Sequence, residues 1–325
     1  MIDYCILGSG ISGSTIANIL SKKHKVIIID KAKGIGGRSS NKKIQNATLD
    51  HGLQYFSPKT KTFDHFLKQL IKFNILKNWE GNHLDFSFRN RLFGKKIIGK
   101  HGNNDLCKYL VKKIKIQNHE EISSIKFKRK FWLIKSSKKL IISKNLIITF
   151  PYLQSKKLAQ KYLSKDILNL NIKMDPNITL MVSEKKLRQN PISSIKTNNR
   201  IISWISNENS KKRFKSNRTY WTIQTSYKFS KKKIDFYKNK KNLYSKIILN
   251  EFCKIIGAKK KDLQIVQMHG WKYSYNRNKT KFKSYWDKKL GLGICGDWFI
   301  GPNAESAWLS ALNLSSKIKK TSLRK

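Results

Sequence analysis

The chain has 325 residues, with 69 Lys and Arg against 19 Asp and Glu, and a formal net charge of +50. That length suits about two domains of ~150 residues each, and the 16 Phe, 12 Tyr and 8 Trp are too many aromatics for wholesale disorder. The apolar runs stop at about ten residues, short of the ~20 a membrane span needs, and residues 1–8 run straight into a strand-like segment with no secretory-signal pattern.

A charge of this size would suit nucleic acid or an anionic surface, but only ten of the basic residues are Arg. The planar fork of Arg is what pairs bidentately with phosphate and guanine, so a field made of Lys does not favour a nucleic-acid interface. The lysines are spread along the chain, with short runs at Lys231–Lys233, Lys238–Lys241 and Lys259–Lys261, as expected of a solvated surface shaped by composition. Such a field could equally steer a polyanionic small molecule such as a dinucleotide. Cys5, Cys107, Cys253 and Cys295 form no C-x-x-C pair, and the seven histidines show no metal-ligand spacing. Neither a disulfide framework nor a metal site is expected, and a reducing cytoplasm fits best.

In chain order, residues 2–7 read as a short buried strand. Gly8-Ser9-Gly10-Ile11-Ser12-Gly13 follows, then apolar residues at helical spacing through Ile16, Ala17, Ile19 and Leu20, then the β-branched run Val26–Ile29 ending at Asp30. This is a βαβ unit. Residues 60–77 show an amphipathic helical pattern, 80–98 suggest short strands, and Gly102–Asp105 would cap a helix through Leu106, Tyr109, Leu110 and Ile114. The runs 121–127 and 131–135 alternate like an antiparallel pair, and Leu146–Phe150 reads as a buried strand stopped by Pro151. Beyond 156, Lys-rich stretches alternate with strand-like pieces at 178–183, 201–205 and 219–227, a helix is expected at 243–256, buried-strand character returns at Gly291–Asp297, and 304–318 closes as a helix.

The chemistry starts at the first glycine turn. Gly8 permits the tight turn, Gly10 lets backbone approach a pyrophosphate, and Gly13 lets helix and strand pack closely. The N–H groups and positive dipole end of the helix then suit phosphates, and Asp30, beside Lys31, is placed to accept ribose hydroxyls. A ribose 2′-hydroxyl is common to FAD and NAD, so this unit alone leaves the two open.

The next motifs carry a resemblance. Gly34-Ile35-Gly36-Gly37-Arg38 resembles the second glycine cluster of flavoproteins in the amine oxidase superfamily. Asp50-His51-Gly52-Leu53-Gln54-Tyr55-Phe56 is similar to a segment of renalase and its bacterial relatives, and Leu290 to Leu312 resembles their C-terminal flavin motif. The resemblance covers most of the chain and is weakest between 156 and 265. It implies an α/β fold with a Rossmann-like FAD-binding domain (1–80, 100–155 and 288–325) and a second, mixed β-sheet substrate domain (81–99 and 156–287), in an amine oxidase or p-hydroxybenzoate hydroxylase-like architecture. The implied cofactor is FAD, held by Gly8, Gly10, Ile11, Ser12, Gly13, Asp30, Lys31, Gly37, Arg38, Gln54, Tyr55 and Phe56, with Ile122 at the adenine end through its backbone. Asp297 would bind the ribityl chain, and Glu305, Ala307 and Trp308 would bring helix N–H groups to the flavin pyrimidine edge. Tyr55, Trp271 and Lys272 are the implied catalytic residues, and Gln224, where some relatives carry a histidine, joins Trp271 at the substrate.

The activity implied is a renalase-like FAD-dependent oxidoreductase that takes a hydride from a small substrate, such as a dihydro isomer of NAD(P), and passes electrons to oxygen or another acceptor. Amine oxidation is the alternative in the same class. A basic nucleotide- or nucleic-acid-binding protein without turnover is the alternative of another class. The oligomeric state is left open.

Overall fold

The computed structural model describes residues 1–85, 94–136, 138–188 and 192–322. It divides into two compact units, one of Met1–Gly37, Leu106–Lys173 and Asn276–Lys325, the other of Arg38–Asp105 and Met174–Tyr275. This differs from the expected boundaries. Residues 38–80 and 100–105 fall in the second unit, and 156–173 and 276–287 in the first. Buried bonds tie the reassigned segments to the second unit: Asp50 is bonded to Lys211 and Arg213, and Asn103 to Asp50 and Arg213. Of the short strands expected at 80–98, residues 86–93 lie outside the described residues.

The first unit is built on an eight-stranded sheet. Its main path runs Tyr285–Asp287, Leu292–Ile294, Leu140–Ile148, Ile2–Leu7, Val26–Ile29, Lys115–Gln117. Ile2–Leu7 pairs in parallel with Leu140–Ile148 on one side and Val26–Ile29 on the other, and Leu292–Ile294 and Lys115–Gln117 extend the parallel set. Parallel strands are covered on both faces, which is why Val26–Ile29 and Leu146–Ile148 are continuous apolar runs with every side chain buried. The strand Leu140–Ile148 changes character along its length. Its first five residues alternate exposed and buried where it pairs with Phe131–Ser136, and only its last three are buried on both faces. The expected hairpin is present as Ile122–Lys128 against Phe131–Ser136. Helices Ile11–Leu20 and Ala304–Ser322 pack together, and Ser12 Oγ donates to the Ala307 carbonyl at 2.9 Å.

The second unit holds a six-stranded sheet, ordered Leu263–Asn276, Met174–Glu184, Thr219–Thr225, Ile202–Asn207, Ser194–Lys196, His83–Leu84. Alternation along its strands separates two faces. Ile178, Leu180, Val182, Ile205, Trp221 and Ile223 form an apolar core with Tyr244, Ile248, Leu249 and Phe252 of helix Lys241–Ile256. The opposite face places Met181 and Tyr220 against Ala47 and Leu49, and Trp204 against Trp79, Ile98 and Tyr55. The amphipathic pattern at 60–77 forms helix Lys61–Lys72, which buries Phe63, Leu67 and Leu70. The 14-residue strand Leu263–Asn276 was not anticipated. The helix after Gly102 is shorter than expected, Asp105–Leu110.

Candidate functional site

Four adjacent strands of the first unit end level with one another. Leu7 pairs with Ile29 and with Ile148, and Ile148 pairs with Ile294. The chain leaves these ends as Gly8, Asp30, Thr149 and Cys295. The carboxyl ends of parallel strands, where the connections diverge, are where doubly wound sheets bind ligands.

Each glycine here has a physical reason. Gly8 lies at φ +106°, and a Cβ there would sit 2.5 Å from Thr149 Oγ1. A Cβ on Gly13 would fall 1.9 Å from the Gly8 carbonyl oxygen, so helix and strand could not pack as they do. Gly10 differs: its Cβ would meet nothing nearer than 3.9 Å, at Gly36 and Gly37. The second glycine loop lies directly on the first, with Gly36 N–H donating to the Ser9 carbonyl at 3.1 Å and Gly10 bridged to Gly36. Helix Ile11–Leu20 begins at Gly10 with no side-chain cap and no acidic residue in its first turn. An uncapped ten-residue helix behind two stacked backbone loops is suited to an anion.

Asp30 ties this turn to the second strand. Its Oδ2 accepts from Ser9 N–H at 2.7 Å and Ser9 Oγ at 2.6 Å, and Oδ1 accepts from Ala32 N–H at 2.8 Å. A carboxylate has about four lone-pair sites, so one remains for a ribose hydroxyl. Lys31 is exposed, 3.6 Å from Glu121, and Ile122 opens the hairpin half-buried. After the fourth strand, Asp297 is buried, and its carbonyl accepts from Ile300 and Gly301. Glu305, Ala307 and Trp308 are all buried at the start of the last helix. Some donors expected there are already in use: Asn303 Oδ1 accepts from Ser306 N–H at 2.7 Å and the Asn303 carbonyl from Ala307 N–H at 3.3 Å.

In the second unit the segment 50–54 has no regular secondary structure, yet side chains hold each of its first four carbonyls. The Asp50 carbonyl accepts from Gln54 Nε2. The His51 carbonyl accepts from Thr179 Oγ1 and Trp271 Nε1, both at 2.9 Å. The Gly52 carbonyl accepts from Gln54 Nε2 at 3.1 Å and Gln224 Nε2 at 2.6 Å, and the Leu53 carbonyl from Asn103 Nδ2 at 2.7 Å. Gly52 fits because a Cβ there would overlap the Arg38 carbonyl at 2.0 Å. Arg38 donates from Nη1 to the Ser274 carbonyl at 3.1 Å. Tyr55 packs against Trp204 and Trp79 with ring centroids 5.6 and 6.3 Å away, and burial pushes its phenol pKa up. Phe56 is wholly buried, pairing through its backbone with Ile97.

Beneath this segment lies a fully buried group of four charges. Asp50 Oδ2 accepts from Lys211 Nζ at 2.8 Å and from Arg213 Nη1. Lys211 Nζ also reaches Glu208 at 2.9 Å, and Glu208 accepts from the Asp50 N–H at 3.3 Å. Asn103 donates its N–H to Asp50 Oδ1 at 3.1 Å, and its own Oδ1 accepts from Arg213 Nη2 at 2.9 Å. Burial would raise the Asp50 pKa, but the Arg213 and Lys211 charges outweigh it and hold the carboxyl below its usual range. Burial pushes Glu208 upward. Glu208, Lys211, Arg213 and Asn103 were not among the expected residues. Their only sequence signal was a carboxylate three positions before a lysine.

Trp271 does belong to a cluster. Its ring lies 4.3 Å from His269 and 5.4 Å from His51, and the two histidine rings meet edge-on at 4.7 Å. Burial, and then the neighbouring His269, push the His51 pKa down to about 4, and burial lowers that of His269. Both imidazoles are thus neutral at neutral pH. Lys272 is not part of this group. The strand turns it to the opposite face, where it is exposed and paired with Asp235 at 2.9 Å. Among the described residues, no three His, Cys, Asp or Glu side chains gather as a metal site, and no helix is long and apolar enough to cross a membrane.

A family model described as an NAD(P)-binding Rossmann-like domain matches residues 6–70. Over its whole length the chain resembles a candidate protoporphyrinogen oxidase from Exiguobacterium sp. 255-15, with a TM-score of 0.74 and 12% identity, covering 100% of this chain and 99% of that one. It is also similar to putrescine oxidase bound to putrescine (TM-score 0.71, 10% identity, covering 100% and 99%) and to cyclohexylamine oxidase from Brevibacterium oxydans IH-35A (TM-score 0.69, 8% identity, covering 98% and 99%). At such identities the likeness is one of fold. It is the α/β, two-unit architecture expected from the motifs, with a Rossmann-like βαβ unit at its start.

Proposed function

We propose that this chain is an FAD-dependent oxidoreductase acting on a small molecule. The observation that carries the reading is the double glycine cradle of the first unit, in which Gly10 leaves room above the backbone while Gly8 and Gly13 are filled by packing. The residues fit the cofactor. The diphosphate is assigned to the N–H groups of the first helical turn at Ile11, Ser12 and Gly13 and to the Gly36-Gly37 loop. The ribose is assigned to the remaining lone pair of Asp30, and the flavin end to Asp297 and the helix start at Glu305, ahead of the Ala307 N–H that the Asn303 carbonyl already takes. Bound FAD supplies a hydride acceptor that oxygen or another oxidant can regenerate. The protein's own part is to hold the donor carbon in place and keep water out, work for which a neutral aromatic surface is suited.

For the substrate we favour a renalase-like donor, a dihydro isomer of NAD(P). The net charge of +50 attracts a polyanion, and the carboxylates beneath the Tyr55 segment, Asp50 and Glu208, are already satisfied by Lys211 and Arg213. A protonated amine therefore finds no available carboxylate there. Amine oxidation is the second reading, favoured by two of the fold neighbours. Anaerobic titration of the FAD-loaded protein separates them: bleaching of the flavin bands by a dihydronicotinamide isomer supports the first, and bleaching by putrescine alone overturns it.

A further inference from the structure

We propose that His269 is a substrate-contact residue, forming with Trp271 a neutral stacking subsite for a planar, uncharged ring bearing a hydrogen-bonding substituent, of which a dihydropyridine carboxamide is one example. The proposal deepens the oxidoreductase reading and rests on it for the identity of the ring.

Positions 269 and 271 share one face of the strand Leu263–Asn276, while 270 and 272 share the other. A Cβ on Gly270 would meet the Tyr237 ring at 2.5 Å and Lys272 pairs with Asp235, so that other face is already covered. His269 and Trp271 are half-buried, with ring centroids 4.3 Å apart. His51 closes the cluster from behind, edge-on to His269 at 4.7 Å. Its backbone is pinned by Thr179 and Trp271, so the ring has little freedom to move away.

A second observation points to a ligand. His51 is 8% exposed and its Nδ1 has no hydrogen-bond partner among the described residues. The same is true of Gln54 Oε1, three residues along, at 6% exposure. The Gln54 amide is oriented by the Asp50 and Gly52 carbonyls, which both take its Nε2, so its oxygen is left as an acceptor. In a segment whose carbonyls are otherwise bonded by side chains, leaving such atoms unmade is costly, and native proteins do so where a ligand, an ordered water or a function uses them. The two histidines are held neutral by burial, and the nearby carboxylate Asp50 is neutralised by its partners. A cation brought here would be desolvated without compensation, whereas a neutral ring would not.

The test is equilibrium binding followed by tryptophan fluorescence. The probes are 1-methyl-1,4-dihydronicotinamide, which is neutral, and the 1-methylnicotinamide cation. The proposal predicts that the wild-type protein prefers the neutral probe by about tenfold or more. His269→Phe, which keeps an aromatic ring but removes both nitrogens, should weaken the neutral probe about three- to tenfold, the worth of one hydrogen bond, and His269→Asn should restore part of the loss. FAD content of both variants should match wild type. No binding by wild type, or unchanged affinity in His269→Phe, overturns the proposal. If wild type binds the neutral probe and His269→Phe weakens it, but no FAD is taken up, the subsite stands and the flavoenzyme reading falls.

Discussion

Replacing Gly10 with alanine separates a nucleotide cradle from a packing motif. Gly10 lies at φ −71° and ψ −177°, extended backbone that alanine adopts freely. Its Cβ would have no neighbour closer than 3.9 Å. Gly→Ala at a compatible site stabilises by about 0.4–1 kcal/mol through the unfolded chain, so the thermal midpoint should hold or rise by a few degrees. In the proposed reading the same methyl stands where the diphosphate approaches the backbone. Losing one charge-assisted hydrogen bond of about 1.5–3 kcal/mol weakens FAD by about ten- to hundredfold. Gly13→Ala, with its Cβ 1.9 Å from the Gly8 carbonyl, should instead fail to fold. The assay pairs thermal melts of the two variants with FAD retention after ultrafiltration. A Gly10→Ala protein that folds and binds FAD as tightly as wild type refutes the assignment of the cradle.

Arg213→Met leaves the fully buried Asp50 without one of its cations and should cost about 3–5 kcal/mol in urea unfolding. Adding Asp50→Asn should recover more than 1 kcal/mol of that loss, and strict additivity would contradict the coupling. His51 has a folded pKa of about 4 against ~6.5 unfolded. Its contribution is complete above pH ~6.5 and is lost as pH falls through 4, by up to about 3 kcal/mol. Asp50 acts in the same direction and Glu208 in the opposite one, so the His51 effect is read as the flatter acid limb of His51→Phe relative to wild type. Lys272→Ala should leave turnover unchanged and stability within about 1 kcal/mol, since its ion pair with Asp235 is solvent-exposed. A large fall in turnover would restore Lys272 to the chemistry. A DNA retardation assay at ~0.15 M salt should show no complex.

The βαβ unit was legible because its signals are local. Glycines at fixed spacing, a β-branched run and a terminal acid all lie within 30 residues, and backbone sterics tie each to its place. The helices at 61–72 and 241–256 were legible from periodicity. The strand Leu263–Asn276 was not, because its half-buried face mixes Gln, His and Tyr with apolar residues and gives no clean alternation. The four-charge cluster was hidden for another reason. Asp50 and Arg213 are 163 positions apart, and in a chain so rich in lysine nothing distinguishes Lys211 from a surface residue until the fold buries it. Trp271 was visible through the resemblance, but its partners His51 and His269 depend on the second sheet for their meeting. Lys272 shows the converse: adjacency in sequence to Trp271 means opposite faces in a strand.

The central claim is that the first unit binds FAD. Incubating the purified protein with FAD, removing free cofactor and recording the visible spectrum tests it directly. The account predicts one FAD per chain, retained with flavin bands shifted from those of free FAD, and a folded protein that remains colourless at saturating FAD would contradict it.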